Sequence, residues 1–273
     1  MRLQKTLLYI LMTVVAVIML APVAWMISTS FKQEAEILSN SYNWIPKEVS
    51  GENYKRLFEQ VEDFPVRRWF FNSVLVSSLA TFCVLTLTSM AAFAFSRLKF
   101  WGREPLFYVL LATMLVPGQV SLIPVFLIVS KLGLFDTYAG LIVPGLGNAF
   151  GVFLLRQFFA RIPHELEEAA VLDGASTPRI YWSVILPLAK PALATLGIFT
   201  FIGSWNDFVW PLLATSDVDM RTLPVGLNIF QGRFTTEYGV TMAAAVVATI
   251  PMIIAFLIFQ KRITEGIALT GLK

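Results

Sequence analysis

The chain has 273 residues, of which 56% are hydrophobic and only 14% are charged, and its formal net charge is +3. This composition excludes an ordinary water-soluble globular protein, and the sequence lacks the basic, aromatic-interleaved pattern that single-stranded nucleic acids require. The apolar residues are gathered into long runs, and a run of about 17–25 residues crosses a bilayer as a helix. The sequence therefore predicts an integral membrane protein in contact with the lipid bilayer and no nucleic-acid partner.

Six apolar runs define the predicted architecture. They show no alternation of apolar and polar residues over segments of roughly ten residues, so helices are expected in preference to barrel strands. We predict an all-α, polytopic protein with a single transmembrane domain over residues 1–273. The predicted spans cover about residues 7–30, 70–96, 106–130, 138–156, 190–214 and 239–260.

The N-terminal part combines the first span with a polar segment. Arg2 and Lys5 precede the first run as in a secretory signal, but the run is too long and lacks a small-residue cleavage site, so we expect it to be retained. In the polar segment, Glu52–Asp63 carries apolar residues at helical spacing. This spacing predicts a short amphipathic helix.

Spans three and four carry helix-breaking residues at membrane depth. Pro117–Gly118, followed by Gln119, is expected to break span three, either as a packed kink or as a bend that lines a pathway. In span four, Gly147 and Gly151 form a GxxxG pattern, which is typical of close helix packing. Asn148 needs a hydrogen-bond partner at this depth, so we expect it to join helices or to contact a substrate.

Span five ends in a polar and aromatic group. Trp205, Asn206 and Asp207 follow one another, and Trp210 lies close to the predicted end of the span. The position of Trp210 predicts an interfacial anchor. An ionisable residue near the hydrocarbon is a functional candidate, so Asp207 is expected to be a pathway residue or a solvated carboxylate at the outer end.

A polar stretch, residues 161–190, separates spans four and five. Acidic residues after Pro163 suit the positive end of a helix that runs to about Leu172, and Gly174 offers the left-handed conformation that stops it. The sequence therefore predicts a helix and a tight turn, with a second helix after the turn.

Ser176 or Thr177 is predicted to cap the second helix, with Pro178 just inside its start, and Pro187 is expected to end its regular hydrogen bonding about three turns later. On the first helix an apolar strip lies opposite the acids, so we expect the strip to face another structure while the acids stay in water. The strip comprises Leu166, Ala169, Ala170 and Val171, and the acids are Glu165, Glu167 and Glu168.

The distribution of positive charge predicts the orientation. Arg97, Lys99 and Arg103 lie between spans two and three, whereas only Lys131 lies between spans three and four. Lysine and arginine in short connecting segments favour the cytoplasmic side. Both termini and the stretch 161–190 are therefore predicted to be cytoplasmic.

Several kinds of chemical site are excluded by residue content. No glycine precedes a lysine, so the phosphate-binding GxxxxGK[ST] loop is absent. His164 and Cys83 are the only histidine and cysteine, which excludes HExxH zinc sites and Cys–His nucleophiles. Neighbouring glutamates on one helix do not converge on a bond as a hydrolase requires. We expect no catalytic residue, no metal and no cofactor bound by this chain.

A motif in the polar stretch carries a family resemblance. Glu168-Ala169-Ala170, then Gly174, Val184 and Leu186-Pro187 at their spacing, resembles the EAA motif in the membrane permeases of ATP-binding-cassette (ABC) importers, with Val184 where isoleucine is usual. Asp173 and the alanine after Gly174 resemble the sugar-importer branch. Phe201–Leu213 and Thr222–Leu227 are also similar to that branch, and the C-terminal tail partly matches one that reaches the ATPase in maltose-type members.

This resemblance implies a permease subunit in a bacterial or archaeal cytoplasmic (inner) membrane, moving a carbohydrate by alternating access. It implies a heterodimer with a homologous permease, two copies of a cytoplasmic ABC ATPase that holds ATP and Mg, and an extracytoplasmic solute-binding protein. The residues then implied in ATPase coupling are Leu166, Glu168, Ala169, Ala170, Asp173, Gly174, Leu186 and Pro187. The candidates for the substrate path are Gln119, Asn148, Trp205, Asn206 and Asp207.

Two other classes of function stay open at this point. An ion-coupled secondary transporter would need a mid-span acid or a repeated half, and Asp207 is peripheral. A membrane scaffold that moves no solute is disfavoured, though only weakly, by the helix breakers in spans three and four.

Overall fold

A computed structural model describes residues 2–39, 43–59, 64–233 and 237–271 of the chain. Every regular element within these ranges is helical, which confirms the all-α class. The helices of the first half are α1 Arg2–Ser30, α2 Glu34–Leu38, α3 Glu52–Glu59, α4 Val66–Arg97, α5 Arg103–Thr113, α6 Gly118–Lys131 and α7 Tyr138–Ile142.

The second half begins with a short 3₁₀ turn at Val143–Leu146 and contains a π-helical turn at Tyr181–Ile185 and a further 3₁₀ turn at Val218–Met220. Its α-helices are α8 Ala149–Phe159, α9 Glu165–Leu172, α10 Thr177–Ile180, α11 Leu186–Leu188, α12 Lys190–Trp205, α13 Val209–Ala214, α14 Leu223–Arg233 and α15 Tyr238–Gly271.

Three helical segments are long and apolar enough to cross a membrane unbroken: Gln4–Ser30, Val66–Arg97 and Tyr238–Ile258. Three bent pairs of shorter helices are long and apolar enough only when each pair is taken together. The bends are 98° between α5 and α6, 49° between α7 with its 3₁₀ turn and α8, and 78° between the segment Thr177–Leu188 and α12. By length and composition the chain therefore has three continuous spans, and up to six if each bent pair is one span.

The break in span three lies where the sequence predicts it. α5 ends at Thr113 and α6 begins at Gly118, with Pro117 at the N-cap position in an extended conformation. Proline has no amide hydrogen and disfavours helical geometry in the residue before it, so the helix must stop before Pro117. Pro124 lies inside α6 and does not interrupt it.

The chain divides into two compact units. One comprises Met1–Phe70 with Leu223–Ile253 and the other comprises Phe71–Thr222 with Ile254–Lys273. In the first unit the Glu34 carboxylate accepts hydrogen bonds from the amides of Tyr238 and Gly239, each at 3.0 Å, and so caps the start of α15.

The predicted amphipathic helix forms in the same unit. It spans Glu52–Glu59, and residues 60–63 of the prediction lie outside the described part of the chain. Asn53 is buried on it and donates hydrogen bonds to the carbonyls of Ser30 and Lys32 at 2.9 and 2.8 Å. The helix is therefore attached to the end of α1 by a buried amide side chain.

The second unit contains the main hydrophobic core. It is built where α4, α5, α8 and α12 meet the segment that follows α9, and its members are apolar side chains buried from all of these elements. They are Ala92, Phe93, Phe107, Val152, Leu155, Phe159, Ile162, Ile180, Tyr181, Ile185, Ala189, Ala192 and Leu196. The segment 161–190 is thus packed into the core on one side, which an unstructured connection would not be.

Candidate functional site

The first helix of the polar stretch forms as predicted and ends at a glycine. α9 runs from Glu165 to Leu172, and Gly174 has a φ of 77°. The Gly174 amide donates to the Val171 carbonyl at 2.9 Å, and the Ala175 amide donates to the Ala170 carbonyl at 2.8 Å. This is the paired hydrogen bonding of a Schellman C-cap, in which glycine adopts the left-handed conformation without strain.

The second helix differs from the prediction. α10 starts at Thr177, as expected, but α-helical hydrogen bonding gives way to a π turn at Tyr181–Ile185, and the helical path continues through Pro187 to Leu188. The helical path thus ends one residue beyond Pro187, close to the predicted end, and the π turn is the feature that the sequence did not predict. Proline removes one amide donor, and the wider turn re-pairs the ladder, since the Leu186 amide bonds the Tyr181 carbonyl.

The exposed face of α9 also differs from the expectation. Leu166 is 43% exposed, Val171 59% and Leu172 89%, whereas the acid Glu167 is turned inward with 17% side-chain exposure. The expectation that all three acids stay in water was therefore wrong for Glu167. Leu166, Ala169 and Val171 are exposed on this chain, so the strip is free to face another structure. Among the residues implied in coupling, those exposed on this surface are Leu166, Glu168, Ala169, Asp173, Gly174 and Pro187, whereas Ala170 and Leu186 pack against the core.

Arg97, the last residue of α4, explains why Glu167 points inward. Its side chain is 1% exposed, and its Nε lies 3.0 Å from Glu167 Oε1. Its Nη2 donates to the Ile162 carbonyl at 2.6 Å and also to the Phe159 carbonyl, while Nη1 lies 2.9 Å from Nδ1 of His164. Sequence reasoning used Arg97 only for orientation and missed this site, because its partners lie more than sixty residues away.

Arg156 forms a second, partly exposed attachment near the same core. Its Nη2 donates to both carboxylate oxygens of Glu104 at 2.9 and 3.0 Å, and its Nε donates to the Phe95 carbonyl at 3.2 Å. The guanidinium also lies over the Phe107 ring at 3.9 Å from the centroid. A planar cation with several donors can serve all these partners at once, so α8 is tied to α4 and α5.

A groove of about 490 Å³ lies elsewhere in the second unit, where α5 gives way to α6, α7 to α8, and α12 to α13. Small and polar residues at those breaks form part of its wall because the chain there has no continuous helix to fill the space. These residues are Gly118, Ser121, Pro144, Gly145, Asn148, Gly203, Ser204 and Asp207. Thr200 and Trp210 line it as well.

The candidates for the substrate path separate into two groups. Asn148 and Asp207 line the groove. Gln119 and Asn206 are exposed and are not among its lining residues, and Trp205 is 2% exposed and stacks on Phe201. Ser121, Thr200 and Ser204 line the groove without having been singled out, because a serine or threonine in an apolar run carries no distinctive sequence signal.

Asn148 has a role that neither expectation included. Its side-chain oxygen accepts a hydrogen bond from the Gly151 amide at 2.7 Å and so caps the N-terminus of α8. This satisfies one polar group of a mid-span amide without a second helix. Asn148 is therefore a capping residue that also faces the groove.

The close helix packing predicted from the GxxxG pattern occurs at Gly151 and not at Gly147. A Cβ on Gly151 would lie 2.9 Å from Thr88 Cγ2 and 3.0 Å from Leu196 Cδ2, so this glycine permits close contact with α4 and α12. A Cβ on Gly147 would meet nothing within 4 Å. The two glycines do not share one helix face because the helix is broken between them, at Asn148.

Trp210 is attached to the protein through its ring nitrogen. Nε1 donates to the Gly140 carbonyl at 3.0 Å, and the Trp210 amide donates to the Asp207 carboxylate at 3.3 Å. Asp207 therefore holds the first turn of α13, while Trp210 packs α13 against α7.

Comparison with known proteins identifies the family to which the chain belongs. The model of the family described as binding-protein-dependent transport system inner membrane component matches residues 84–268. A putative ABC transporter permease protein of a Caldicellulosiruptor species is 37% identical over 97% of this chain and 96% of its own length. The trehalose/maltose transport system permease protein MalG of Thermococcus litoralis is 36% identical over 99% of this chain and 98% of its own.

Solved structures agree with these relatives. A chain in the crystal structure of a bacterial ABC transporter involved in the import of the acidic polysaccharide alginate matches with a TM-score of 0.83 and 28% identity, over 95% of this chain and 96% of that one. A family model that covers most of the chain, and relatives that cover nearly all of it, lead to one conclusion: the chain belongs to the family of inner membrane components of binding-protein-dependent transport systems.

Proposed function

We propose that this chain is a permease subunit of an ATP-driven ABC importer and forms half of the translocation path for a carbohydrate. Two relatives support the substrate class by name: the trehalose/maltose permease of Thermococcus litoralis and the diacetylchitobiose uptake permease of Streptomyces coelicolor, which is 34% identical over 93% of this chain. The other half of the path comes from a homologous permease, and an extracytoplasmic binding protein delivers the solute.

The proposal includes six spans and a fixed orientation in the cytoplasmic membrane of a bacterium or archaeon. The six spans are the three continuous helical segments, the bent pairs α5–α6 and α7–α8, and α12 with α13, and the whole chain acts as a single permease domain. Both termini and the stretch 161–190 lie in the cytoplasm, supported by the excess of Arg97, Lys99 and Arg103 over Lys131 in the short connections. This orientation puts α9 on the side where ATP is available.

The observation that carries the proposal is the surface formed by α9 and its C-cap. Leu166, Glu168, Ala169 and Asp173 are exposed there, while the segment after them is packed into the core that joins α4, α5, α8 and α12. A small exposed helix that continues into a segment packed in the core can receive a force and pass it on. In this proposal two copies of a cytoplasmic ATPase hold ATP and Mg, and one of them docks on α9.

The groove supplies the second part of the mechanism. Its wall offers hydroxyl, amide and carboxylate groups at Ser121, Asn148, Ser204 and Asp207, which suit the hydroxyl groups of a sugar. ATP-driven movement of α9 would tilt the broken spans and open this groove alternately to the two sides. Broken helices allow this because their free backbone groups already line a cavity.

The experiment is co-expression with the neighbouring permease and ATPase genes, followed by affinity capture of the complex and reconstitution with the binding protein. The wild-type chain is expected to retain the ATPase, whereas Glu168→Arg and Gly174→Asp are expected to lose it. Glu59→Arg, an exposed glutamate far from α9 in the sequence, serves as the matched charge-reversal control. Uptake of a labelled oligosaccharide by the reconstituted complex is expected to require ATP.

Two outcomes would replace the proposal. Uptake that persists without ATP and collapses with the proton or sodium gradient would identify an ion-coupled secondary transporter. A stable complex that moves none of a panel of labelled oligosaccharides under any energy source would identify a scaffold.

A further inference from the structure

We propose that the buried Arg97–Glu167 ion pair is the positioning link that transmits movement of α9 to the transmembrane helices α4 and α8. The inference rests on the proposed function and adds to it the residues that connect the docking surface with the spans. Glu167 precedes the EAA triplet and takes no part in the exposed surface that the ATPase would meet.

Arg97 connects the C-terminal ends of α4 and α8. It is the last residue of α4, and its guanidinium bonds the carbonyls of Phe159 and Ile162, at and just beyond the C-terminus of α8. Helix C-termini carry partial negative charge and leave carbonyls without helical partners, so a cation is stabilised there. Glu167, in the first turn of α9, completes the site with a full negative charge at 3.0 Å.

Burial makes this link stiff. The Arg97 side chain is 1% exposed and the Glu167 side chain 17%, so the guanidinium is shielded from water and the carboxylate is mostly shielded. Removing one member of a buried pair leaves an uncompensated charge, which costs far more than loss of an exposed pair. α9 is therefore held to α4 and α8 by a contact that resists separation when α9 is displaced.

A second connection runs through the apolar core, where Tyr181 and Ile185 pack among α4, α8 and α12. Tyr181 adds a hydrogen bond to Ser89 of α4 within this core. The bonds from Arg97 Nη2 to the carbonyls of Phe159 and Ile162 fix the orientation of the guanidinium. Glu167 Oε1 faces Arg97 Nε at 3.0 Å as a charge contact without hydrogen-bond geometry, so the oriented guanidinium holds α9 against the ends of the two spans by charge, while the core supplies stability.

The test uses the complete complex with its partner permease, ATPase and binding protein in proteoliposomes. Glu167→Gln keeps the shape of the side chain and removes its charge, and Glu165→Gln is the control on the exposed side of the same helix. In Glu167→Gln we expect the ATPase to be retained at wild-type stoichiometry, while the extra hydrolysis that the binding protein stimulates falls by about fivefold. Glu165→Gln is expected to match the wild type in both.

A double-mutant cycle with Arg97→Gln separates this role from a general structural one. If the pair is the link, the double variant loses no more stimulation than the worse single variant, since the interaction is already broken. A spin-label measurement needs no solute: labels at Leu172 and Lys99, both exposed, are placed in a Cys83→Ser background. The distance distribution is expected to broaden in Glu167→Gln and to stay narrow in Glu165→Gln.

The outcomes are distinguishable. A wild-type chain that retains no ATPase refutes the proposed function and says nothing against the geometry, which the spin labels still test. A functional wild type with a Glu167→Gln variant of unchanged stimulation and unchanged distances overturns the link. Loss of ATPase retention and of stimulation in equal proportion also overturns it, because the ion pair would then only hold α9 in shape.

Discussion

The Tyr181 hydroxyl lies 2.7 Å from Ser89 Oγ, a buried hydrogen bond between the π turn after α10 and the C-terminal half of α4. The Tyr181 ring also packs against Phe93 with centroids 5.2 Å apart. The segment that follows the docking helix is therefore attached to α4 by one polar and one aromatic contact within a single side chain.

This contact gives the first prediction. Tyr181→Phe removes the hydroxyl and keeps the ring, so we expect a destabilisation of about 1 kcal/mol. Tyr181→Ala removes the ring as well and is expected to cost about 3–5 kcal/mol, as for other large aromatic residues in cores. The measurement is the denaturation midpoint of the detergent-solubilised chain. Equal effects of the two substitutions would contradict the assignment of most of the energy to ring packing.

The C-cap of α9 gives the second prediction. Gly174 has φ +77° and open space around a Cβ, so Gly174→Ala introduces backbone strain alone, about 1–2 kcal/mol, and Gly174→Asn less. Gly133, with φ +69° and equally open space, is the matched control. Both alanine variants are expected to lose similar stability, but only Gly174→Ala is expected to weaken ATPase retention. Equal retention in the two would argue against α9 as the docking element.

The two glycines of the GxxxG pattern give the third prediction. Gly151→Ala places a Cβ against Thr88 and Leu196, and overpacking of this kind typically costs about 1–3 kcal/mol. Gly147→Ala meets nothing within 4 Å and is expected to stay within about 0.5 kcal/mol of the wild type. Thr88→Ser deletes the contacted methyl group, so it should restore part of the stability of Gly151→Ala. The measurement is the thermal unfolding midpoint in detergent of the wild type, Gly151→Ala, Gly147→Ala and the Gly151→Ala variant that also carries Thr88→Ser.

Asn148 gives the fourth prediction, which separates its cap from its place in the groove. Asn148→Ala removes the acceptor for the Gly151 amide and is expected to cost about 1 kcal/mol, whereas Asn148→Asp keeps the acceptor and most of the stability. Asn148→Asp adds a carboxylate to a groove wall that already contains Asp207, so we expect uptake of a labelled oligosaccharide to fall in both variants.

ATPase retention is the control for this fourth prediction. It should be unchanged in Asn148→Ala, Asn148→Asp and Asp207→Asn, because the groove and α9 are separate surfaces. Loss of retention in parallel with uptake would refute that division.

Local chemistry determined much of this protein from the sequence alone. Uncharged runs long enough to cross the hydrocarbon predicted the all-α class. Pro117 predicted the break in span three and Gly174 predicted the end of α9. These three features could be predicted because each depends only on residues close together in the sequence. The EAA spacing within α9 to α11 identified the family for the same reason, since the motif is a short local structure.

Tertiary structure decided which side of α9 is exposed, what Asn148 bonds and which path candidates meet. Periodicity divides a helix into faces, but Glu167 turns inward because Arg97, seventy residues earlier, is buried and needs a negative partner. Asn148 and Asp207 share one groove because breaks in different spans are brought together, while Gln119 and Asn206 lie outside it. Such pairings depend on how segments distant in the sequence pack together, and a local sequence pattern carries no information about that packing.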